Sequence, residues 1–326
     1  GDTKRAMTDS TRLLGRARRV ASAAFAGLFA ILLALANPLM ADDALVAPGD
    51  GVVTGFSGTK VEADVPVDVH PLDRTFIDLD GTAAHVFDLK VLGTTARGQL
   101  SDVASKLQIK ARDSGQVFGV TLDDGDASGG VPNAYLAATS MFGLHIVKPR
   151  ADGKLDRVLI GEAGAEWMPG QFGMGPVGTP GSIWKVDGRS GAVSLFANIA
   201  KDGRDNGGPG LGNITFDATS RQFFVSDLET GLIHRLGRDG ALIDTFDHGT
   251  TGRESQGLNA VGDDASRHMN IESASFNSED PATWGYADER RRVFGLAVNK
   301  QRLYYGLAEG PSLWSVGLKS DGGFAD

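Results

Sequence analysis

The sequence predicts an all-β chain of repeated antiparallel hairpins, on two observations. Beyond residue 41, helical periodicity is nearly absent. Short runs of β-type residues are broken every few positions by Gly, Asp and Asn, the pattern of strands joined by tight turns. The second observation is that one unit recurs: GSIWKVDGRSGAVSLFA (181–197), GLIHRLGRDGALIDTF (231–246) and PSLWSVGLKSDGGF (311–324) each read as strand, Gly- and Asp-rich turn, strand. Trp184 and Trp314 hold the same place in their units, and His234 holds it in the middle one. GLHIVKPRADGKLDRVLI (143–160) is a fourth, looser copy.

Each unit follows another β-type stretch: AYLAAT (134–139), ITFDATSRQFFVSD (214–227) and VFGLAVNKQRLYYGLA (293–308). The units begin at Gly143, Gly181, Gly231 and Pro311, 38, 50 and 80 residues apart. Those steps are about one, one and two times the roughly 40–45-residue period of a propeller blade. Four-stranded antiparallel blades packed radially leave only short edges exposed. The expectation is therefore a β-propeller over residues 42–326, six-bladed, with the last blade incomplete if the chain is a fragment. A β-sandwich, whose hairpins recur without fixed period, is the alternative. Residues 250–292 fit no blade; polar and rich in turn residues, they read as an insertion over one face or a disordered loop. The best helical pattern is LSDVASKLQIKA (100–111), with Leu100, Val103, Ala104 and Leu107 on one side, and it could equally be a turn.

The chain starts at Gly1, and Met7 is the first plausible initiator. Arg12, Arg16, Arg18 and Arg19 precede an uncharged run, Val20–Ala41, that closes on small residues. That is the layout of a secretory signal peptide over 1–41; an uncleaved anchor in the inner membrane is the alternative. Both place the body in the periplasm or outside the cell, and the membrane enters only through this segment.

Residues 1–41 hold six of the 32 basic and two of the 41 acidic residues, so the body carries 26 and 39, a formal charge of −13. Such a surface repels phosphate backbones and argues against a nucleic-acid partner. Without cysteine there are no disulfides, thiolate metal sites or cysteine nucleophiles.

GPGLGNITFDATSRQFFVSDLETGLIHRLGRDG (208–240) resembles the repeat of NHL-type and gluconolactonase-like six-bladed propellers. In the lactonase-like branch, Asn and Asp side chains at such strand ends, with a Glu from another blade, ligate a divalent cation in the central channel. Asn213 and Asp227 stand at the matching positions, while the blade at 294–310 carries Leu296 and Leu307 there.

Three places carry candidate chemistry. In the channel, Asn213 and Asp227 would supply two oxygens and Glu166 a third; otherwise Asn213 starts a strand and Asp227 caps a turn. In DDGDASGG (123–130), Asp124, Asp126 and Ser128 alternate ahead of Gly129 as at the start of a calcium loop, although Tyr135 stands where a bidentate Glu closes one. A solvated acidic loop is the alternative. The Gly- and Pro-rich loop 161–181 carries Glu166, an acid/base or ligand candidate, with Trp167 and Phe172 as candidate ligand contacts or as packing. No Gly-x-Ser-x-Gly surrounds Ser57, Ser140 or Ser226, and the histidines lack metal spacing. Trp184 and Trp314 read as core, and Arg290, Arg291 and Arg292 as a solvated face.

These readings converge on an exported β-propeller that binds a protein or small molecule, with Ca2+ or another divalent cation as the candidate cofactor. The alternative is a metal-dependent lactonase- or esterase-like hydrolase acting in the channel.

Overall fold

The computed structural model describes residues 44–91, 103–310 and 312–325, so the expected leader lies outside it. The strands are β1 (Asp50–Thr54), β2 (Thr59–Val61), β3 (Thr75–Ile77), β4 (Thr82–Asp88), β5 (Ser105–Lys110), β6 (Val117–Leu122), β7 (Ala134–Ala138), β8 (Ile146–Pro149), β9 (Leu155–Val158), β10 (Glu166–Trp167), β11 (Ser182–Val186) and β12 (Val193–Asn198). They continue as β13 (Ala200–Lys201), β14 (Arg204–Asp205), β15 (Leu211–Asp217), β16 (Gln222–Asp227), β17 (Leu232–Leu236), β18 (Leu242–Asp247), β19 (Val293–Asn299), β20 (Arg302–Leu307), β21 (Ser312–Leu318) and β22 (Phe324–Ala325).

Three four-stranded antiparallel sheets dominate. β15-β16-β17-β18 and β19-β20-β21-β22 are plain meanders. The third, β6-β7-β11-β12, is interrupted by residues 139–181, which form a separate three-stranded sheet, β10-β8-β9. The recurrent units at 181, 231 and 311 are thus the third and fourth strands of the three sheets. The looser copy at 143–160 is not half a blade but the β8–β9 hairpin of the inserted sheet, which is why its spacing to the next unit falls short.

A further sheet, β1-β4-β5, has three strands. Thr54, at the end of β1, donates its hydroxyl proton to the carbonyl of Phe118, at the start of β6. β1 therefore runs against β6, in the sense of a second blade strand. Its sheet matches the last three strands of the meanders, without a counterpart of their first among the described residues. β5 occupies the expected helix: Ser105, Leu107 and Ile109 turn inward while Lys106 and Gln108 face water, a period of two. Over the described part of that stretch, residues 103–111, the chain turns helical only at its end, in the turn Ala111–Ser114, and Leu100 lies outside the described residues.

The sheets stack face to face as blades do. Val117, Leu136, Trp184 and Val186 bury against Ala84 and Ile109 of the first sheet. Tyr135, Ala137 and Ile183 bury against Leu211, Ile214, Phe223 and Val225, and Phe224 and Ile233 against Val293, Leu303, Tyr305 and Val316. The first strands β6, β15 and β19 pack side by side. Where β6 passes β15, Gly119 permits the approach: a Cβ there would stand 2.8 Å from both the Asn213 Cα and the Gly212 carbonyl oxygen.

Residues 248–292 are an ordered covering segment. They open with one π-type turn, His248–Gly252, capped by the Asp247 side chain. Met269 and Phe276 then share a core with Leu144, Ile146 and Ala165 of the inserted sheet region.

Candidate functional site

The first strands of the meanders begin at one end of the stack, and the covering segment folds over that end. Its anchor is Glu229 in the β16–β17 turn, whose side chain has 0 % exposure. An isolated carboxylate so buried is costly, and four donors satisfy it. Arg204 donates at 2.7 and 3.2 Å, and the amides of Gly207 and Met269 each at 2.9 Å. Arg291 lies equally deep and donates to the carbonyls of Thr230 (2.8 Å) and Val261 (2.6 Å) and to Asp247 (3.2 Å). The expected solvated arginine run is corrected here: Arg290 faces water, but Arg291 clamps the segment to the sheet.

Within the segment, and reaching the sheet at the β16–β17 turn through Glu229, lies a cavity of about 210 Å³, lined among others by Asp263, Asp264, Arg267, His268, Tyr286, Asp288 and Arg291. Asp263 accepts from His268 Nε2 and Lys201 Nζ, both at 2.9 Å. Burial alone would raise the Asp263 pKa, but the bonds from His268 and Lys201 hold it below the usual carboxylate value. With Nε2 engaged, His268 Nδ1 has no hydrogen-bond partner among the described residues. Tyr286 is fixed likewise: its hydroxyl meets Ser140 Oγ at 2.8 Å, Ser140 donates to the Pro209 carbonyl, and the Arg292 guanidinium lies over the ring. The cavity thus presents an oriented imidazole and phenol beside Arg267, a set suited to hydrogen-bonding a small polar ligand.

A second, larger concavity of about 650 Å³ opens between the last two sheets, with Phe246, Tyr305, Trp314 and Phe324 on its floor. Behind it lies His248, whose Nδ1 is 2.9 Å from the Tyr305 hydroxyl and whose pKa burial pushes down to about 4. Trp314, read from the sequence as core, is half-buried and serves both the core and this cleft.

The residues singled out from the sequence lie elsewhere. Asp227 is buried and its oxygens are engaged: Oδ1 accepts from Asn206 Nδ2 (2.7 Å) and the Glu229 amide (2.9 Å), Oδ2 from the Thr230 hydroxyl (2.8 Å). Burial works to raise its pKa, but the facing His234 ring, the Thr230 hydroxyl and the Glu229 amide leave it lowered. That is the turn-capping role. Asn213 Oδ1 accepts from the Ile214 amide, and Glu166 is exposed on β10. Asp124 and Asp126 pair with Arg221 at 2.9 and 2.7 Å, and Arg238 stands 3.5 Å from Asp124. Ser128 accepts from Asn133. Trp167 and Phe172 pack edge to face, ring centres 5.1 Å apart, with Phe172 buried. Among the described residues no group of three His, Asp or Glu side chains could hold a metal ion. The sequence reading missed Asp263, His268 and Tyr286, all in the segment that fits no blade. Their available signal was a His and a Tyr within a long polar insertion.

The chain matches no family model and no curated protein. Among solved structures it is similar to a selenomethionine-substituted virginiamycin B lyase from Staphylococcus aureus, at 10 % identity and a TM-score of 0.27, over 82 % of this chain and 74 % of that one. A likeness that slight leaves the fold resting on the strand register and sheet packing above.

Proposed function

We propose that the chain is an exported, propeller-type binding module that holds a small polar ligand beneath the covering segment. The observation that carries this reading is His268, positioned by Asp263 at the cavity wall with Nδ1 free to bond a guest. The volume of about 210 Å³ suits a compact molecule with several hydrogen-bonding groups. Export rests on residues 1–41, and a six-blade count rests on the repeat spacing and the family resemblance. No helix among the described residues is long and apolar enough to cross a membrane.

A thermal-shift screen of small carboxylates, sugars and amino acids against residues 42–326 and its His268→Asn variant tests the reading. A hit should raise the melting midpoint of the parent with concentration, and His268→Asn should weaken it at least tenfold, beyond the lower ligand-free midpoint expected from loss of the bond to Asp263. Hits equally tight in the variant would move the site elsewhere. The cation readings, through Asn213, Asp227 and Glu166 or through Asp124, Asp126 and Ser128, and the lactone or ester hydrolysis they would serve, have no specific observation in their favour. A calcium series in the same assay tests them.

A further inference from the structure

The hydrogen bonds around the cavity of the covering segment fix which of its groups accept and which donate. The ionised Asp263 carboxylate only accepts, so its bond to His268 places a proton on Nε2. In the neutral ring the other nitrogen, Nδ1, is then an acceptor. The His268 side chain is 10 % exposed, and Nδ1 has no partner among the described residues. Tyr286 is polarised the same way. Ser140 gives its hydroxyl proton to the Pro209 carbonyl, so the Tyr286 hydroxyl donates to Ser140 Oγ and its oxygen is left to accept. Asp264 supplies a third acceptor: Oδ1 takes the amide and hydroxyl of Ser266, at 3.1 and 2.6 Å, while Oδ2 has no partner among the described residues. The cations of the lining are already answered. Arg291 is engaged by Thr230, Val261 and Asp247. Arg267 is exposed and adds to what holds Asp264 and Asp288 below the usual carboxylate value, the larger causes being the bonds from Ser266 and from Arg290. Its charge therefore meets two carboxylates.

We propose that this cavity takes a small primary amine, recognised by the N–H groups of its ammonium. The inference rests on the cavity being the binding site proposed above, and names the chemistry of its ligand. An ammonium group carries three donors and no acceptor, and His268 Nδ1, Tyr286 Oη and Asp264 Oδ2 line the same cavity as acceptors. Bonds from an ionised donor are also stronger than those from a neutral one. A carboxylate guest would bring only acceptors to these three atoms.

The probes are ethanolamine, its trimethylated counterpart choline, which keeps the charge and loses the N–H donors, and glycolate, which replaces the ammonium by a carboxylate. Binding at pH 8 is followed by the melting midpoint and by the 15N resonance of His268 Nδ1, assigned through its loss in His268→Asn. In the free protein that resonance should be that of an unprotonated ring nitrogen. Ethanolamine should bind saturably, raise the midpoint and move the resonance, choline should bind at least tenfold more weakly, and glycolate should not bind. Asp264→Asn keeps an oxygen to cap Ser266 and removes the charge, and should weaken ethanolamine about tenfold. A protonated Nδ1 in the free protein, absence of ethanolamine binding, choline as tight as ethanolamine, or indifference to Asp264→Asn would overturn the proposal. Glycolate binding that is lost in His268→Asn would leave the site standing and overturn only its preference for donors. Ethanolamine binding that survives His268→Asn unchanged would remove the site itself, and this inference with it.

Discussion

His248 shows what a buried titratable group does in this fold. It has 0 % exposure, its Nδ1 bonds the Tyr305 hydroxyl, and its ring stands edge-on to Trp314. Burial, with Arg253 nearby, lowers its pKa from 6.5 to about 4, and burial lowers that of His145 to about 4 also. The unfolded chain takes up a proton below pH 6.5, where the folded protein still refuses it. Stability is therefore full above pH 6.5 and falls as the pH drops to about 4. Asp227 and Asp263 act lower: their folded pKa values lie under 3.8, so their contribution is lost only as the pH falls below that value. Urea unfolding at pH 7 and pH 4.5 should show the histidine loss, and a His145→Gln, His248→Gln double variant should show a flatter profile. An unchanged slope would mean these imidazoles are not held neutral. Single residues were the least legible in the sequence. Asp227 stands out in its repeat, yet whether its oxygens meet a cation or Asn206 and Thr230 depends on neighbours that converge only in the folded chain.

Elements were read more successfully, where a pattern repeats. Trp184, His234 and Trp314 mark the third strand of three sheets, and their shared place in the sequence reflects a shared place in the blade. The 143–160 hairpin carries the same local pattern, because strand and turn chemistry do not encode which sheet a hairpin joins. β5 went unrecognised because Ala104 and Leu107 also satisfy a helical spacing; burial of Ile109 against the neighbouring sheet selects the extended form. Gly119 is the element-scale test. Gly119→Ala would press a methyl into the backbone of β15 and should cost about 1–3 kcal/mol, read as a lower denaturant midpoint with an unchanged slope. No loss would mean that β6 and β15 are further apart than described.

For the whole molecule, the covering segment 248–292 changes the account most. Polar composition suggested an insertion over one face or a disordered loop; in the folded chain the segment is held at three separated points. Glu229 bonds the Met269 amide, Arg291 bonds the Thr230 carbonyl, and Phe276 is buried in a core with Leu144 and Ile146. A composition count registers none of these anchors, since each needs a partner on a distant element. Limited proteolysis should accordingly leave 250–292 uncut in the native protein. Glu229→Gln keeps the shape and removes the charge that Arg204 neutralises, so it should open the segment to cleavage first. Rapid cutting of the unmodified protein there would contradict the anchoring.

The interruption of the third sheet also has a consequence in time. β7 ends at Ala138 and must pair with β11, which begins at Ser182, so the chain between them has to be made and gathered in before that sheet can close. Loop closure over such a distance is entropically unfavourable, and non-local pairing of this kind slows folding. The β15–β18 meander needs no such wait. During synthesis the nascent hairpin β6–β7 would stand with its apolar face uncovered, a window in which a chaperone would find it.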